Sequence, residues 1–245
     1  MISIHPLTGM GEVRPGDDLA GLLREALEQN GLEPRAGDIL VVTQKIVSKA
    51  EGRFVTMDGV VPSEEALRLA ALTHKEPRLV ELVLQEAEGV VRAAPHVLIT
   101  RNRHGQVMAN SGIDRSNIGG GIEDRALLLP VDPDASAAAL SEELGMAVVI
   151  SDSFGRPWRM GVVAVAIGAA GLPALIDRRG DVDRDGRVLE VTQIALGDMV
   201  ATAANLATGE GAEGIPAALV RGYAFSGDAR PAADLVRPAA EDLFR

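Results

Sequence analysis

Four short polar segments carry the residue types that handle anions and hard cations. Thr8-Gly9-Met10-Gly11-Glu12 follows a first apolar stretch. Its glycines let main-chain N–H groups converge on an anion, although an ordinary turn has the same composition. Gln44 to Arg53 places Lys45 and Lys49 four residues apart. On a helix the two ammonium groups share a face and repel unless an anion such as a nucleotide phosphate lies between them; a solvated basic face is the plainer alternative. Asn110 to Asn117 sets Asp114 among amides and hydroxyls. Hard divalent cations take such oxygen ligands, and an Asx turn or helix cap favours the same residues. Ser151 to Arg159 ends an apolar run with Asp152 and Ser153 and then brings Arg156 and Arg159, which could clamp a phosphate or carboxylate bidentately. Glu210 lies in a glycine turn beyond a long helical pattern. With Asp114 and Asp152 it makes a carboxylate set suited to two metal ions.

Other motifs fail on context. Gly209-Glu-Gly211-Ala-Glu-Gly214 fits the dinucleotide fingerprint, but it follows a predicted helix and precedes a predicted strand, the reverse of what that fingerprint needs. Asp181-Val-Asp183-Arg-Asp185-Gly186 resembles the start of a calcium loop, yet Thr192 stands where the bidentate Glu belongs. There is no Gly-Lys pair for a P-loop and no G-x-S-x-G elbow. His5, His74, His96 and His104 show no ligand spacing and read as structural or exposed. Trp158, the sole tryptophan, reads as a core or interface residue.

The elements that must position these groups are those of an α+β fold with mixed sheets and flanking helices, because strands and helices do not alternate strictly. Strands are expected at 1–7, 38–43, 96–100, 106–109, 147–151, 162–168, 174–176 and 217–221. Helices are expected from Asp17 or Asp18 to about Asn30, from Ser63 to about Leu72, from Pro77 to about Ala87, from Asp134 or Ser136 to Gly145, and over 192–207. With 245 residues, 47% of them apolar, the chain can bury a substantial core as one unit or as two intertwined subdomains.

Composition narrows the chemistry further. Without cysteine there are no disulfides, zinc-thiolate sites, iron–sulfur clusters or cysteine nucleophiles. A net charge of −11 and 2% aromatics argue against nucleic acid or an anionic membrane as partner. No segment reads as a membrane span or signal peptide, so a soluble cytoplasmic protein is expected. Basic residues are almost all arginine; Lys45, Lys49 and Lys75 are the only lysines. Two of the three lie in one short stretch, which suits a need for compact point charges there.

Taken together, 41–53 (Val-Val-Thr-Gln-Lys-Ile-Val-Ser-Lys-Ala-Glu-Gly-Arg), 110–117 (Asn-Ser-Gly-Ile-Asp-Arg-Ser-Asn), 151–161 (Ser-Asp-Ser-Phe-Gly-Arg-Pro-Trp-Arg-Met-Gly), 186–192 and 205–217 resemble the coenzyme F420-0:L-glutamate ligase family, in order along nearly the whole chain. The resemblance implies GTP-dependent addition of L-glutamate, through γ-glutamyl links, to coenzyme F420-0. It also implies two Mg²⁺ or Mn²⁺ ions, an activating K⁺, and a homodimer with an unusual ligase fold. By motif position, nucleotide contacts fall on Gly9, Met10, Gly11, Glu12, Gln44, Lys45, Lys49, Asn117, Thr208, Gly209, Gly211 and Gly214. Metal ligands fall on Asp114, Asp152, Ser153 and Glu210. Lys45 and Lys49 would screen charge as γ-phosphate moves to the precursor's carboxylate to form an acyl phosphate, which the glutamate amine then attacks. Arg115, Arg156 and Arg159 are candidates for gripping the precursor's phosphate or the glutamate. A flavin-binding domain fused in some bacterial relatives is not expected here. A metal-dependent nucleotide phosphohydrolase, a nucleotide-binding module without turnover, and a ligase of the same fold for another carboxylate are the rival readings.

Overall fold

The computed structural model describes residues 1–119 and 124–242. Its elements run β1 (Ser3–Pro6), α1 (Leu19–Gln29), β2 (Ile39–Thr43), α2 (Gln44–Ala50), β3 (Phe54–Thr56), α3 (Glu64–Thr73), α4 (Pro77–Gln85), β4 (Ala87–Ala94), β5 (Val97–Asn102) and β6 (Val107–Ala109). They continue with β7 (Arg125–Leu127), α5 (Pro133–Leu144), β8 (Ala147–Arg156), β9 (Arg159–Ala170), β10 (Leu175–Asp177), β11 (Gln193–Ala195), α6 (Leu196–Thr208) and β12 (Ala217–Arg221). The mixture of sheets and helices is the expected α+β arrangement.

Five strands form the main sheet in the order β1-β12-β2-β8-β9. Only β2 and β8 run parallel, with Ile39 opposite Ala147 and Thr43 opposite Ser151. Ile39 to Val42 and Ala147 to Ile150 are buried throughout because both faces of the sheet are covered. On one face Leu40, Val42, Val148, Ile150 and Leu219 pack with Leu23 and Leu27 of α1, Ile46 and Val47 of α2 and Leu140 of α5. On the other, Ile39, Val41, Val149 and Val220 pack with Leu196, Val200, Ala201 and Ala204 of α6. The small residues of α6 let that helix lie close to the sheet: a Cβ on Gly197 would stand 3.0 Å from the Ala166 Cβ.

A third apolar cluster gathers Leu69 and Ala70 of α3, Val80 and Val83 of α4, Leu98 of β5 and Ala126 of β7. It belongs to the three-stranded sheet β4-β5-β6 and the β3-β7 pair. This second body carries the Asp114 segment, whose main chain pairs with Leu127 in both directions at 2.9 Å.

The register decides where the polar segments go. β2 and β8 run side by side, so Gln44 and Asp152 leave the sheet at one end. β12 is antiparallel to β2, with Ala217 opposite Val42, so the glycine loop before β12 arrives at that same end. Thr43 N donates to Pro216 O at 2.9 Å. β1 is antiparallel to β12, with Pro6 opposite Ala218, so Thr8 to Glu12 also departs there.

Three local expectations are corrected. The helix from Pro77 ends at Gln85 rather than about Ala87, and residues 87–94, for which no element was expected, form a strand. Its side chains are largely exposed and give no period-2 signal; its identity comes from pairing with β5. Residues 193–195 pair with β10, so the long helix begins at Leu196 rather than Thr192. The cap of α5 is Asp132, which accepts Ala135 N, with Pro133 at the first helical position where its missing N–H costs nothing. The Asp181–Asp185 segment is a hairpin turn in which Asp183 Oδ1 accepts the N–H groups of Asp185 and Arg187.

One ion pair ties this sheet to its loops. Asp38, just before β2, is buried and accepts Arg221 Nε at 2.9 Å and Nη2 at 2.7 Å. Burial works to raise the Asp38 pKa; the Arg221 guanidinium and the Arg35 N–H outweigh it, so the carboxyl titrates below its ordinary value. A depressed carboxyl contributes stability above its unfolded pKa and loses it as pH falls through the folded value. Asp38→Asn is therefore expected to cost about 2 kcal/mol in urea denaturation at pH 7. The gap to wild type should close as the pH drops below about 4.

Candidate active site

The end of the sheet where the four strand extensions meet is hollow. A cavity of about 600 Å³ opens there, large enough for a nucleotide. Its walls include Met10, Gly11 and Glu12 after β1, Gln44, Lys45 and Lys49 on α2, Asn117, then Asp152 and Ser153 on β8, and Thr208 to Gly214 between α6 and β12. The structure thus brings together nearly all the residues that sequence reasoning nominated. Gly9 stands just outside the wall, in the left-handed region at φ 82°. Asp114 lies behind the wall but reaches it through its partners, accepting Gln44 Nε2 at 2.7 Å and standing 3.7 Å from Lys45 Nζ.

Helix α2 begins immediately after β2 and puts Gln44, Ser48, Lys45 and Lys49 at helical spacing. Ser48 Oγ donates to Gln44 Oε1 at 2.9 Å, which aims the amide nitrogen at Asp114. Lys49 is only 5% exposed and meets Glu12 Oε1 at 2.5 Å. Glu12 also packs over Gly119, where any Cβ would fall 2.2 Å from its Oε1. Lys45 Nζ donates to Ser116 O at 3.4 Å, and Asn117 Nδ2 donates across the cavity to Gly211 O at 3.1 Å. These contacts tie the Asp114 segment of the second body to the main-sheet side of the cavity.

The Asp114 segment starts from a strained turn. Asn110, Ser111 and Gly112 are all left-handed, at φ 51°, 52° and 77°. Non-glycine residues adopt this only when their surroundings over-determine it. Here Ser111 N donates to Thr100 Oγ1 at 3.0 Å and its hydroxyl donates to Val83 O at 3.1 Å. Gly112 passes so close to Leu129 that a Cβ would lie 2.6 Å from Cδ1.

The carboxylates are crowded. Burial and the neighbouring Asp114 charge push Asp152 up to about 7, against the Ser153 N–H, Lys45 and Gln44. Burial also raises Asp114, opposed by Lys45 and Gln44 and reinforced by Glu210. Glu210 itself is turned onto Ser153 Oγ, which lies 2.8 and 2.7 Å from its two oxygens. Among the described residues no three carboxylate or imidazole groups converge closely enough to grip one ion.

Sequence reasoning missed several wall residues. Asn205 on α6 donates Nδ2 to Gly209 O at 3.1 Å, and Glu213 accepts Gly211 N at 2.8 Å, so both shape the glycine loop. A polar residue one turn before a glycine turn was the available signal for Asn205. The arginine nominations are corrected. Arg156 and Arg159 lie at the β8–β9 turn and do not line the cavity; Arg156 Nη2 instead donates to Met160 O at 2.7 Å. Arg115 is engaged by Glu76 and Asp124 rather than aimed into the cavity. Trp158 is 79% exposed at the hairpin turn, not core. The four histidines lie off the cavity wall, as expected.

Comparison with known proteins settles the family. A family profile described as F420-0:Gamma-glutamyl ligase matches residues 9–222. A Methanopyrus kandleri protein named coenzyme F420:L-glutamate ligase is 45% identical over 255 aligned positions, covering 100% of this chain and 98% of its own length. Proteins of the same name from Methanothermobacter thermautotrophicus and Methanocaldococcus jannaschii are 43% and 42% identical. They cover 100% and 91% of this chain, and 99% and 90% of their own lengths. The chain belongs to the F420-0:gamma-glutamyl ligase family. Within that family frame, the match spans every segment that lines the cavity, from Gly9 to the loop before β12. No helix among the described residues is long and apolar enough to cross a membrane.

Two half-buried carboxylates close together tax the fold. A carboxyl whose folded pKa is raised is most destabilising once it is ionised, and the cost grows as pH climbs from the unfolded value toward 7. Asp152→Asn removes that cost. In the presence of EDTA at pH 8 the variant is expected to melt a few degrees above wild type, with a smaller gain at pH 5.5, by differential scanning calorimetry.

Proposed function

We propose that this chain is a GTP-dependent ligase that adds L-glutamate to coenzyme F420-0 and extends the γ-linked tail through an acyl-phosphate intermediate. The observation that carries the reading is one cavity, on a chain alike over its full length to proteins named for this ligation, whose walls hold phosphate-compatible cations and hard oxygen donors. Lys45 and Lys49 supply the fixed positive charge. Among the described residues Lys49 has a single close counter-ion, Glu12, on a glycine-bearing loop, an arrangement that an incoming phosphate can replace. In the Gly209–Gly214 loop the Gly211 N–H already holds one carboxylate, that of Glu213, at 2.8 Å, a donor that a phosphate can take over.

A divalent metal fits the donors in this cavity. Asp114 and Asp152 are close enough for one charge to raise the pKa of the other, a repulsion a cation would relieve. With Ser153 and Glu210 they form an oxygen-only set, the kind Mg²⁺ or Mn²⁺ prefers, once Glu210 turns from Ser153. Two such ions would neutralise triphosphate charge and polarise the transferring phosphoryl group. K⁺ activation is part of the same reading.

In the reaction the precursor's carboxylate oxygen attacks the γ-phosphorus of GTP, and GDP leaves. Lys45 and Lys49 hold the phosphates while negative charge gathers on the transferring group. The glutamate amine then attacks the acyl carbon, phosphate departs, and the amine's proton passes to solvent or to that phosphate. Neither step needs a covalent bond to the enzyme.

A mass-spectrometric assay with F420-0, glutamate, GTP, Mn²⁺ and K⁺ tests this directly, with one component omitted in each control. The expected product is heavier by one or more glutamyl units and forms only with GTP and metal. GDP released equally without glutamate would instead favour a phosphohydrolase. Asp152→Asn is expected to stay folded and lose at least about a hundredfold in turnover; wild-type-like turnover would remove Asp152 from the mechanism.

The ligase is also proposed to act as a homodimer. The exposed Trp158, Met160 and Val162 at the β8–β9 turn form an apolar tip suited to a partner. Light scattering is expected to give twice the 25.6 kDa chain mass; a monomer at micromolar concentration would sink this part.

A further inference from the structure

Four charged groups at the root of the Asp114 segment form a closed ring that the proposed reaction does not use. Glu76 is the residue before α4, and Arg78 lies in that helix's first turn. Arg78 Nε donates to Glu76 Oε1 at 2.7 Å and Nη2 donates to Asp124 Oδ2 at 2.7 Å. Arg115 engages the other oxygen of each acid, Nη1 with Glu76 Oε2 and Nη2 with Asp124 Oδ1. Each carboxylate therefore bridges both guanidiniums, and each guanidinium bridges both carboxylates. Asp58 adds a third acid to Arg78 at 3.3 Å.

The ring's place in the chain gives it a role. Arg115 follows Asp114 directly. Asp124 precedes β7, whose Leu127 pairs with the Asp114 main chain. Ring and pairing together hold Asp114 and Arg115, at the start of residues 114–119, to α4 and β7. The same stretch carries the groups that reach the cavity: the Asp114 carboxylate on Gln44 and Lys45, Ser116 O on Lys45, and Asn117 on Gly211 O. Each member is about a third exposed, so a single pair would contribute little. A closed network of several charges is the exception to that rule, and it acts as one unit.

We propose that the Glu76–Arg78–Arg115–Asp124 ring is a positioning device that holds residues 114–119 against the cavity, so that nucleotide binding depends on it. The nucleotide half of this statement rests on the reading above; the positioning half does not. Hydrogen exchange on the full chain tests positioning. In Arg115→Ala and in Asp124→Asn, amides of 114–119 should exchange about tenfold faster, while those of α3 keep wild-type rates. The double variant should be no faster than the faster single one, because either change opens the ring. Arg68→Ala, which breaks only the Glu65 pair on α3, should leave 114–119 unchanged. In the ligation assay both ring variants should raise the KM for GTP about tenfold and lower kcat far less than the hundredfold expected of Asp152→Asn.

Unchanged exchange at 114–119 overturns the proposal. So does acceleration spread equally over α3, or single effects that add in the double variant. Exchange as expected with an unmoved KM for GTP overturns the nucleotide half alone. A wild type that ligates without GTP overturns the nucleotide reading, and the exchange result still decides whether the ring positions the segment.

Discussion

The parallel pairing of β2 with β8 is the constraint on which the site depends. With Thr43 opposite Ser151, the residues that follow each strand emerge side by side. β12 and β1 then pair antiparallel on the other side of β2, which returns their polar flanks to the same end. A one-residue slip of β8 against β2 would turn Asp152 to the opposite face of the sheet. The apolar alternation prevents that slip, because Val148 and Ile150 would exchange places with Val149 and Ala147 across two differently packed cores.

That arrangement concentrates like charge. Asp114 comes from the second body and meets Asp152 across Gln44, and burial acts on both. The surroundings supply neutral donors and lysines: Gln44 is aimed by Ser48, and Lys45 bridges Asp114 to Ser116 O. A protein of net charge −11 thus places two of its three lysines at this point, close to the left-handed turn before Asp114. Lysine suits this role because a compact ammonium can serve a carboxylate in one state and a phosphate in another.

Much of this was legible in the sequence. The runs Asp38–Thr43 and Ala147–Ser151 read as buried strands because both faces of the sheet are covered and no polar residue interrupts them. α1 was clear from Leu19, Leu23 and Leu27 and the Asp18 cap. β4 was not, since its side chains are largely exposed and only its partner defines it. The wall residues carried by strand ends and glycine turns were visible as motifs, but no periodicity places Asp114 beside Lys45. That contact joins residues 69 apart in sequence, through a turn whose backbone no ordinary pattern anticipates. Arg115 was misjudged for the same reason: an arginine beside a metal-type aspartate looks like an anion grip until Glu76 and Asp124 are seen to take both ends of its guanidinium.

The division between the two bodies has a mechanistic consequence. The main sheet offers Lys45, Lys49, Asp152 and the Gly209–Gly214 loop on elements locked by two packed faces. The second body contributes Asp114 and Asn117 through a segment whose contacts to the cavity wall are polar, between the buried Ile113 and Ile118. Polar contacts on a partly exposed segment open at lower free energy than a packed sheet does. The Gln44 and Lys45 contacts to Asp114 therefore couple the groups that hold charge to the segment that carries Asp114 and Asn117 through one carboxylate.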